Sequence, residues 1–184
     1  MYERGRQVLG LHASYYPISP ETLKEFKNKW HQDKFWQLVS EFRKEAEKCS
    51  QECYIATNWH VLDYIVNPPD TTIPELRYAV LGHQFPAPDG SFSVEPHIPS
   101  YSDEYWQAFK YVEAEEVATI AQYFALIDES EFNARFNTRK MKGRYHAPVG
   151  SNTFRDEYFA LLLRLQQFYL VTATKQMAVF ISIG

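Results

Sequence analysis

The sequence predicts a helix-rich mixed α/β fold, in which helices pack on a small mixed sheet within a single layered domain. Three observations support this prediction. Several segments carry apolar residues at helical spacing, most clearly over residues 154–169. Two segments, 7–16 and 177–183, have patterns typical of strands and are separated by helical segments. The chain of 184 residues has the length of one domain, so we expect residues 1–184 to share one core.

The N-terminal third begins with a predicted strand. Residues 7–16, QVLGLHASYY, alternate with a period of two, which is typical of a strand with one buried face. Ser19 followed by Pro20 favours the start of a helix, because serine caps free N–H groups and proline lacks the N–H that would be unsatisfied there. This helix is expected to end near Trp30. A second helix, from about Asp33 to Cys49, has the apolar face Phe35, Leu38, Val39, Phe42 and Ala46.

Residues 50–67 are predicted to form a third helix, capped by Ser50 and stopped by Asn67 and the two prolines after it. Its apolar face would contain Ile55, Trp59, Leu62 and Val66. An opposite stripe, expected to face solvent or a groove, would contain Cys49, Cys53, Ala56, His60 and Asp63.

The middle of the chain is dominated by turn formers. Pro74 to Leu81 reads as a short helix that Gly82 closes in the left-handed conformation. Residues 84–102 contain four prolines and an Asp-Gly pair, which predicts a surface loop. A loop of this length is either a functional lid or a mobile insertion.

The C-terminal half is predicted from periodicity and capping. A short strand at residues 109–112 leads into a helix over 114–127, and the helix dipole accounts for Glu115 and Glu116 in its first turn. Asp128 and Glu131 have capping-box spacing, which starts another short helix. The long helix follows, and the dense apolar run 177–183 predicts an interior strand.

Composition excludes several classes of protein. A net charge of −4 and a pI near 5.9 argue against nucleic-acid binding, which needs a concentrated basic surface. No apolar stretch is long enough for the core of a signal peptide or for a membrane helix, so we expect a cytoplasmic protein with reduced cysteines. One basic run is either a solvated helix face or a contact for phosphate or an acidic surface. It consists of Arg135, Arg139, Lys140, Lys142 and Arg144.

Catalytic and metal signatures are missing from the sequence. On one helix, Cys53 and His60 would be about 10 Å apart, too far for a nucleophile and its base. Cys49 and Cys53 could share a metal at i, i+4, but no further ligand pair is spaced to complete a zinc site. The sequence also lacks the serine-hydrolase, phosphate-loop and metalloprotease motifs. We therefore expect no metal and no cofactor.

Histidines give the remaining candidate chemistry. His60 and Asp63, at i, i+3, could hydrogen-bond and fix the imidazole tautomer, although a purely structural pair would look the same. His83, His97 and His146 lie next to predicted turns, and they would join His60 only if the fold brings them together.

Several segments follow one another in a recognisable order. The early segments are GLHASYY, NWHVLDYIV and LRYAVLG. The later segments, within residues 111–183, are YVEAEEVATIAQYFALIDESEFNARFNTRKM, RYHAP and LLRLQQFYLVTATKQMAVFISI. This order resembles that of the YfbM-like family of small bacterial proteins, which has no assigned function, and the resemblance is stronger over residues 111–183. Glu113-Ala114 stands where the family usually has Thr-Pro, and loop 84–102 has no recognised counterpart. The resemblance implies helices packed on a small sheet.

Two functions from different classes remain open. The first is a non-enzymatic protein-interaction module, of inhibitor or immunity type, with a protein as its partner. High aromatic content (16%), acidic balance and the missing motifs favour it. The alternative is a small-molecule-binding protein or hydrolase-like enzyme with a pocket near Trp59, His60, Tyr145 and His146. Nothing in the sequence sets an oligomeric state.

Overall fold

The computed structural model describes residues 12–30, 35–48, 52–55, 59–67, 73–85, 108–141 and 154–183. The strands in these ranges are β1 (Ala13–Ile18), β2 (Cys53–Ile55), β3 (His83–Gln84), β4 (Ala108–Val112) and β5 (Ala178–Ile183). The α-helices are α1 (Pro20–Lys29), α2 (Phe35–Lys48), α3 (Trp59–Val66), α4 (Ala114–Phe124), α5 (Glu129–Arg135) and α6 (Arg155–Thr174). A 3₁₀ helix covers Pro74–Tyr78. The predicted helix-rich mixed α and β fold is confirmed.

The five strands form one sheet in the order β2-β1-β5-β4-β3. Every pairing within it is antiparallel. The sheet in the described ranges is therefore antiparallel and not mixed as expected, because strand direction is set by pairing between segments distant in sequence, which periodicity does not show. The predicted loop 84–102 begins at the end of β3, and its residues 86–102 lie outside the described ranges.

Helices cover both faces of the sheet. On one face, β5 contributes Val179, Ile181 and Ile183 to a core shared with α3, α4 and α6. On the other face, Ala178 and Phe180 join a second core with α1 and α2. All six residues of β5 are buried, which confirms the predicted interior strand. All six residues of β1 are buried as well, so the expectation of a single buried face is corrected.

The second core is built around aromatic rings. Among the described residues, five rings lie within 6.4 Å of the Phe180 ring, measured between centroids. They belong to Tyr16, Phe26, Phe42, Phe85 and Phe109. Aromatic pairs in this range gain energy beyond the area that they bury. Much of the high aromatic content therefore serves the core, which weakens it as evidence for an interaction surface.

Most predicted helix boundaries agree with the structure. Ser19 Oγ accepts a hydrogen bond from Thr22 N–H at 3.1 Å, as expected of the cap of α1. Asp128 caps α5 in the same way at 2.8 Å. Gly82 has φ +62°, the left-handed conformation predicted for it. None of the helices within the described ranges is long and apolar enough to cross a bilayer.

Candidate functional site

The sequence placed a pocket beside α3, and the structure describes three of its residues. Trp59 is buried, and its ring stacks on His60 with centroids 5.3 Å apart. Asp63, one turn later, is also buried. Tyr145 and His146 lie outside the described residues, so the convergence of these side chains stays a prediction.

Cys53 does not lie on the same helix as His60. Residues 53–55 form β2, which pairs antiparallel with β1, and the helix begins only at Trp59. The alternation of buried Cys53, exposed Tyr54 and buried Ile55 has the period of a strand, which overrides the helical reading of residues 50–67. Burial raises the pKa of the Cys53 thiol to about 12, so it stays protonated. Cys49 lies outside the described residues.

Two buried tyrosines anchor the turn before β3. Tyr15 donates its hydroxyl hydrogen to the carbonyl of Val80 at 2.8 Å, and Tyr169 donates to the carbonyl of Ala79 at 2.6 Å. Burial raises the pKa of both tyrosines well above its usual value, so both remain neutral donors. These bonds fix the turn that leads to His83.

The best-defined polar cluster joins β3 to α4. His83 Nε2 lies 2.7 and 2.8 Å from the two carboxylate oxygens of Glu116. The His83 ring stacks on Tyr78, with centroids 3.5 Å apart. Burial alone would raise the pKa of Glu116, but the hydrogen bonds from His83 and from Glu113 N–H lower it below its usual value. The pair is an imidazole oriented by a carboxylate, an arrangement that can hold or transfer a proton.

The same cluster extends to α1. Lys27 forms an ion pair with Glu113, and its Nζ lies 4.2 Å from the centre of the Tyr111 ring. Glu113 N–H donates to Glu116 Oε2 at 3.0 Å. The helix dipole alone therefore does not account for Glu116 in the first turn of α4.

Sequence spacing could not reveal the cluster, because His83 and Glu116 are 33 residues apart. The only signal was the Glu-x-x-Glu spacing at the start of α4.

An open groove lies between α1 and α2 and has a volume of about 530 Å³. Its floor is apolar and consists of Phe26, Leu38 and Phe42. Its rim carries charged and polar side chains, namely Thr22, Glu25, Glu41, Lys44 and Glu45. The sequence predicted the apolar face of α2 but gave no sign that part of it borders a groove.

Acidic side chains outnumber basic ones among the described residues of the rim. Among the described lining residues, three carry carboxylates and one carries an ammonium group. The three glutamates are exposed. Glu25 is paired with Lys29 along α1, and Glu41 accepts a hydrogen bond from the neutral side chain of Gln37 at 2.9 Å. The groove is therefore apolar at its base and polar at its edge.

The basic run is only partly described. Arg135 donates from Nη1 to the carbonyls of Ile65 and Val66, at 3.0 and 3.3 Å, and so caps the end of α3. Arg139 and Lys140 are exposed, whereas Lys142 and Arg144 lie outside the described ranges. Arg135 thus has a structural role. Among the described residues, no group of three or more His, Cys, Asp or Glu is placed to hold a metal ion.

Comparison with known proteins identifies the family. The profile of the family described as "Domain of unknown function (DUF1877)" matches residues 9–182. The chain belongs to the DUF1877 family. Its fold is similar to that of YfbM from Escherichia coli, a protein of unknown function, with a TM-score of 0.62 and 15% sequence identity. That match covers 94% of this DUF1877 chain and 99% of YfbM. A comparison with curated proteins found no match. The predicted resemblance to the YfbM-like family is confirmed.

Proposed function

We propose that this DUF1877 protein is a protein-interaction module that binds a segment of a partner protein in the α1–α2 groove. The observation that carries the proposal is the apolar floor of Phe26, Leu38 and Phe42 beneath an opening to solvent. Small-molecule sites usually enclose about 70–90% of their ligand. The α1–α2 groove opens to solvent, which suits a segment of another protein, such as a helix laid between two helices.

Two of the floor residues are available to such a segment. Phe26 is 2% exposed and serves mainly as the base of the groove, whereas Leu38 and Phe42 are partly exposed. Phe42 also packs edge-on against Phe26, with ring centroids 5.6 Å apart. Because these contacts hold the floor in place before binding, a partner would lose little free energy in ordering it.

Site-specific photo-crosslinking tests this proposal. A photoreactive amino acid replaces Leu38 in the groove, and a matched protein carries it at Leu126, an exposed site at the corner after α4. We expect position 38 alone to crosslink a defined partner, and a synthetic copy of the crosslinked segment to bind the unmodified protein. Equal crosslinking at both positions, or a segment that does not bind, would refute the proposal.

A blocking variant supplies the second measurement. Thr22→Trp places a large side chain on the rim and keeps the backbone N–H that Ser19 caps. We expect this variant to unfold at the same temperature as the wild type and to lose binding of the crosslinked segment. Unchanged binding would place the partner elsewhere and count against the groove.

A further inference from the structure

We infer that a second copy of this chain packs against the outer surface of α4 and α6, with the two α6 helices antiparallel across a two-fold axis. This α4–α6 surface lies on the opposite side of the sheet from the α1–α2 groove, because the two helix pairs belong to different cores. The inference therefore goes beyond the proposed function, and either one can fail without the other.

The two helical layers differ in the charge of their outer surfaces. From Val117 to Ile127 the chain has no charged residue, and from Tyr158 to Thr174 it has only Arg164. Arg164 lies at the edge of the surface, because its Nη1 donates to the Tyr54 carbonyl of β2 at 3.3 Å. The exposed positions of α1 and α2, in contrast, include Glu21, Lys24, Glu25, Glu41, Lys44 and Glu45. Charged residues are depleted at the centre of protein–protein interfaces, which distinguishes the α4–α6 surface from the other layer.

Exposed positions along α6 include a stripe of small, apolar and amide side chains. Their separations are three and four residues in turn, which is the repeat of a seam where two helices pack side by side. The stripe consists of Ala160, Leu163, Gln167, Leu170 and Thr174. Leu163 and Leu170 are 47% and 51% exposed, and Val171 beside them is 40% exposed. These are three of the six large apolar side chains that are exposed within the described ranges, so they form a patch and are not scattered singly.

α4 extends this surface sideways. It packs against α6, and its exposed side chains between Val117 and the end of the helix are Ala118 and Gln122, with Ala125 directly after it. α6 has 20 residues and is therefore about 30 Å long, and two helices packed side by side are about 20 Å wide. Because α4 is shorter, the footprint is about 500 Å² before the relief of the side chains is counted. That size is near the lower end for specific interfaces, so we expect a dimer that dissociates at micromolar concentrations.

The lack of charge favours a second copy as the occupant. A two-fold dimer places the same surface against itself, so a charged patch would meet its own sign. The chain has a net charge of −4, and the centre of the α4–α6 surface avoids this repulsion. The same surface has no cluster of cations to attract a nucleic acid or an anionic membrane.

The ends of α6 determine the direction of packing. Asp156 and Glu157 lie in its first turn, and Lys175 follows its last. A parallel pair would bring like charges and like ends of the helix dipoles together, whereas an antiparallel pair brings unlike ends together. With the axis near Gln167, Leu163 of each copy packs on Leu170 of the other.

Sedimentation velocity of the full chain between about 1 and 200 μM tests this inference. We expect the wild type to change from monomer to dimer within that range. Leu163→Glu places a charge in the interface twice per dimer and should weaken association at least about 30-fold. Ser40→Glu makes the same charge change at an exposed position of α2 and should leave association unchanged. A wild type that stays monomeric, or equal weakening by both variants, would overturn the inference.

The dimer and the groove are tested independently. Leu163→Glu should still bind the segment crosslinked in the groove, because the substitution lies on the other side of the sheet. Leu126 lies at the corner after α4, next to the proposed interface. A crosslink from Leu126 to a second copy has twice the mass of the chain, so it is not mistaken for a partner captured at Leu38.

Mixed variants test the antiparallel direction. Leu163→Lys and Leu170→Glu should each dimerise poorly alone, and their equimolar mixture should dimerise more tightly, because the new lysine of one copy meets the new glutamate of the other. This recovery requires both variants to be folded, so it separates a lost interface from a lost fold. Recovery in a mixture of Leu163→Lys with Leu163→Glu instead would show parallel helices and refute the proposed packing. No recovery in either mixture would also overturn it.

Discussion

Removing the hydroxyl of Tyr169 should measurably destabilise the protein. This hydroxyl is buried and donates to the Ala79 carbonyl at 2.6 Å. Tyr169→Phe keeps the ring and its packing but leaves that carbonyl without its donor. A buried hydrogen bond contributes about 0.5–1.5 kcal/mol, and an unsatisfied partner adds to the cost, so we expect a loss of about 1–2 kcal/mol. For a chain of this size that corresponds to a fall in Tm of roughly 2–8 °C.

Urea unfolding followed by circular dichroism measures this loss. We expect a lower midpoint with an unchanged m value, because the surface exposed on unfolding stays the same. Tyr54→Phe is the matched control, since Tyr54 is 44% exposed and solvent can replace its bond to His12. If Tyr169→Phe costs no more than this control, the hydroxyl does not stabilise the turn. Combining it with Tyr15→Phe should give a non-additive loss, because the two accepting carbonyls are adjacent.

Three further perturbations test other parts of the structure. Gly82→Ala should lower the free energy of unfolding by about 2–4 kcal/mol, because φ of Gly82 is +62° and the added Cβ would lie 2.9 Å from Ile181 Cδ1. A loss of stability smaller than that of a surface alanine substitution would contradict this prediction. Arg135→Ala should cost about 1–2 kcal/mol in urea unfolding, since it uncaps the carbonyls at the end of α3, and Arg135→Lys should recover only part of it. Glu116→Gln should destabilise the protein near neutral pH, because the folded pKa of Glu116 is depressed. The contribution of ionised Glu116 to stability is complete above its unfolded pKa of about 4.3 and is lost as pH falls through its folded pKa. The difference in unfolding free energy between the wild type and Glu116→Gln should therefore disappear in acid. A difference that does not change with pH would contradict this prediction.

Local signals in the sequence predicted much of the fold. The Ser19-Pro20 cap, the apolar stripe of α6 and the β-branched run of β5 each depend on neighbouring residues, and the structure contains all three. The helix expected over residues 50–67 is confirmed from Trp59 to Val66. Its first part is wrong, because residues 53–55 form a strand that is too short to show a clear period. Pairing with β1 determines the conformation of Cys53, and that contact is invisible to helical periodicity.

The candidate sites were harder to predict, because each depends on residues that are distant in sequence. His83 meets Glu116 only because β3 pairs with β4, which leads directly into α4. The groove forms where the side chains of α1 and α2 leave space between them. Periodicity shows that Leu38 and Phe42 are apolar and on one face, but it does not show whether a neighbour covers them.

The position of β5 also limits the order in which the fold can assemble. This strand pairs with β1, about 160 residues earlier, and with β4 on its other side, and it contributes to both cores. While a ribosome is still synthesising the chain, β1 and β4 are already outside it without the strand that joins them. Neither core can close until β5 inserts between them. Contacts of such long sequence separation slow folding and leave apolar strand edges open to aggregation, so a nascent chain of this protein should be prone to aggregation until β5 has been synthesised.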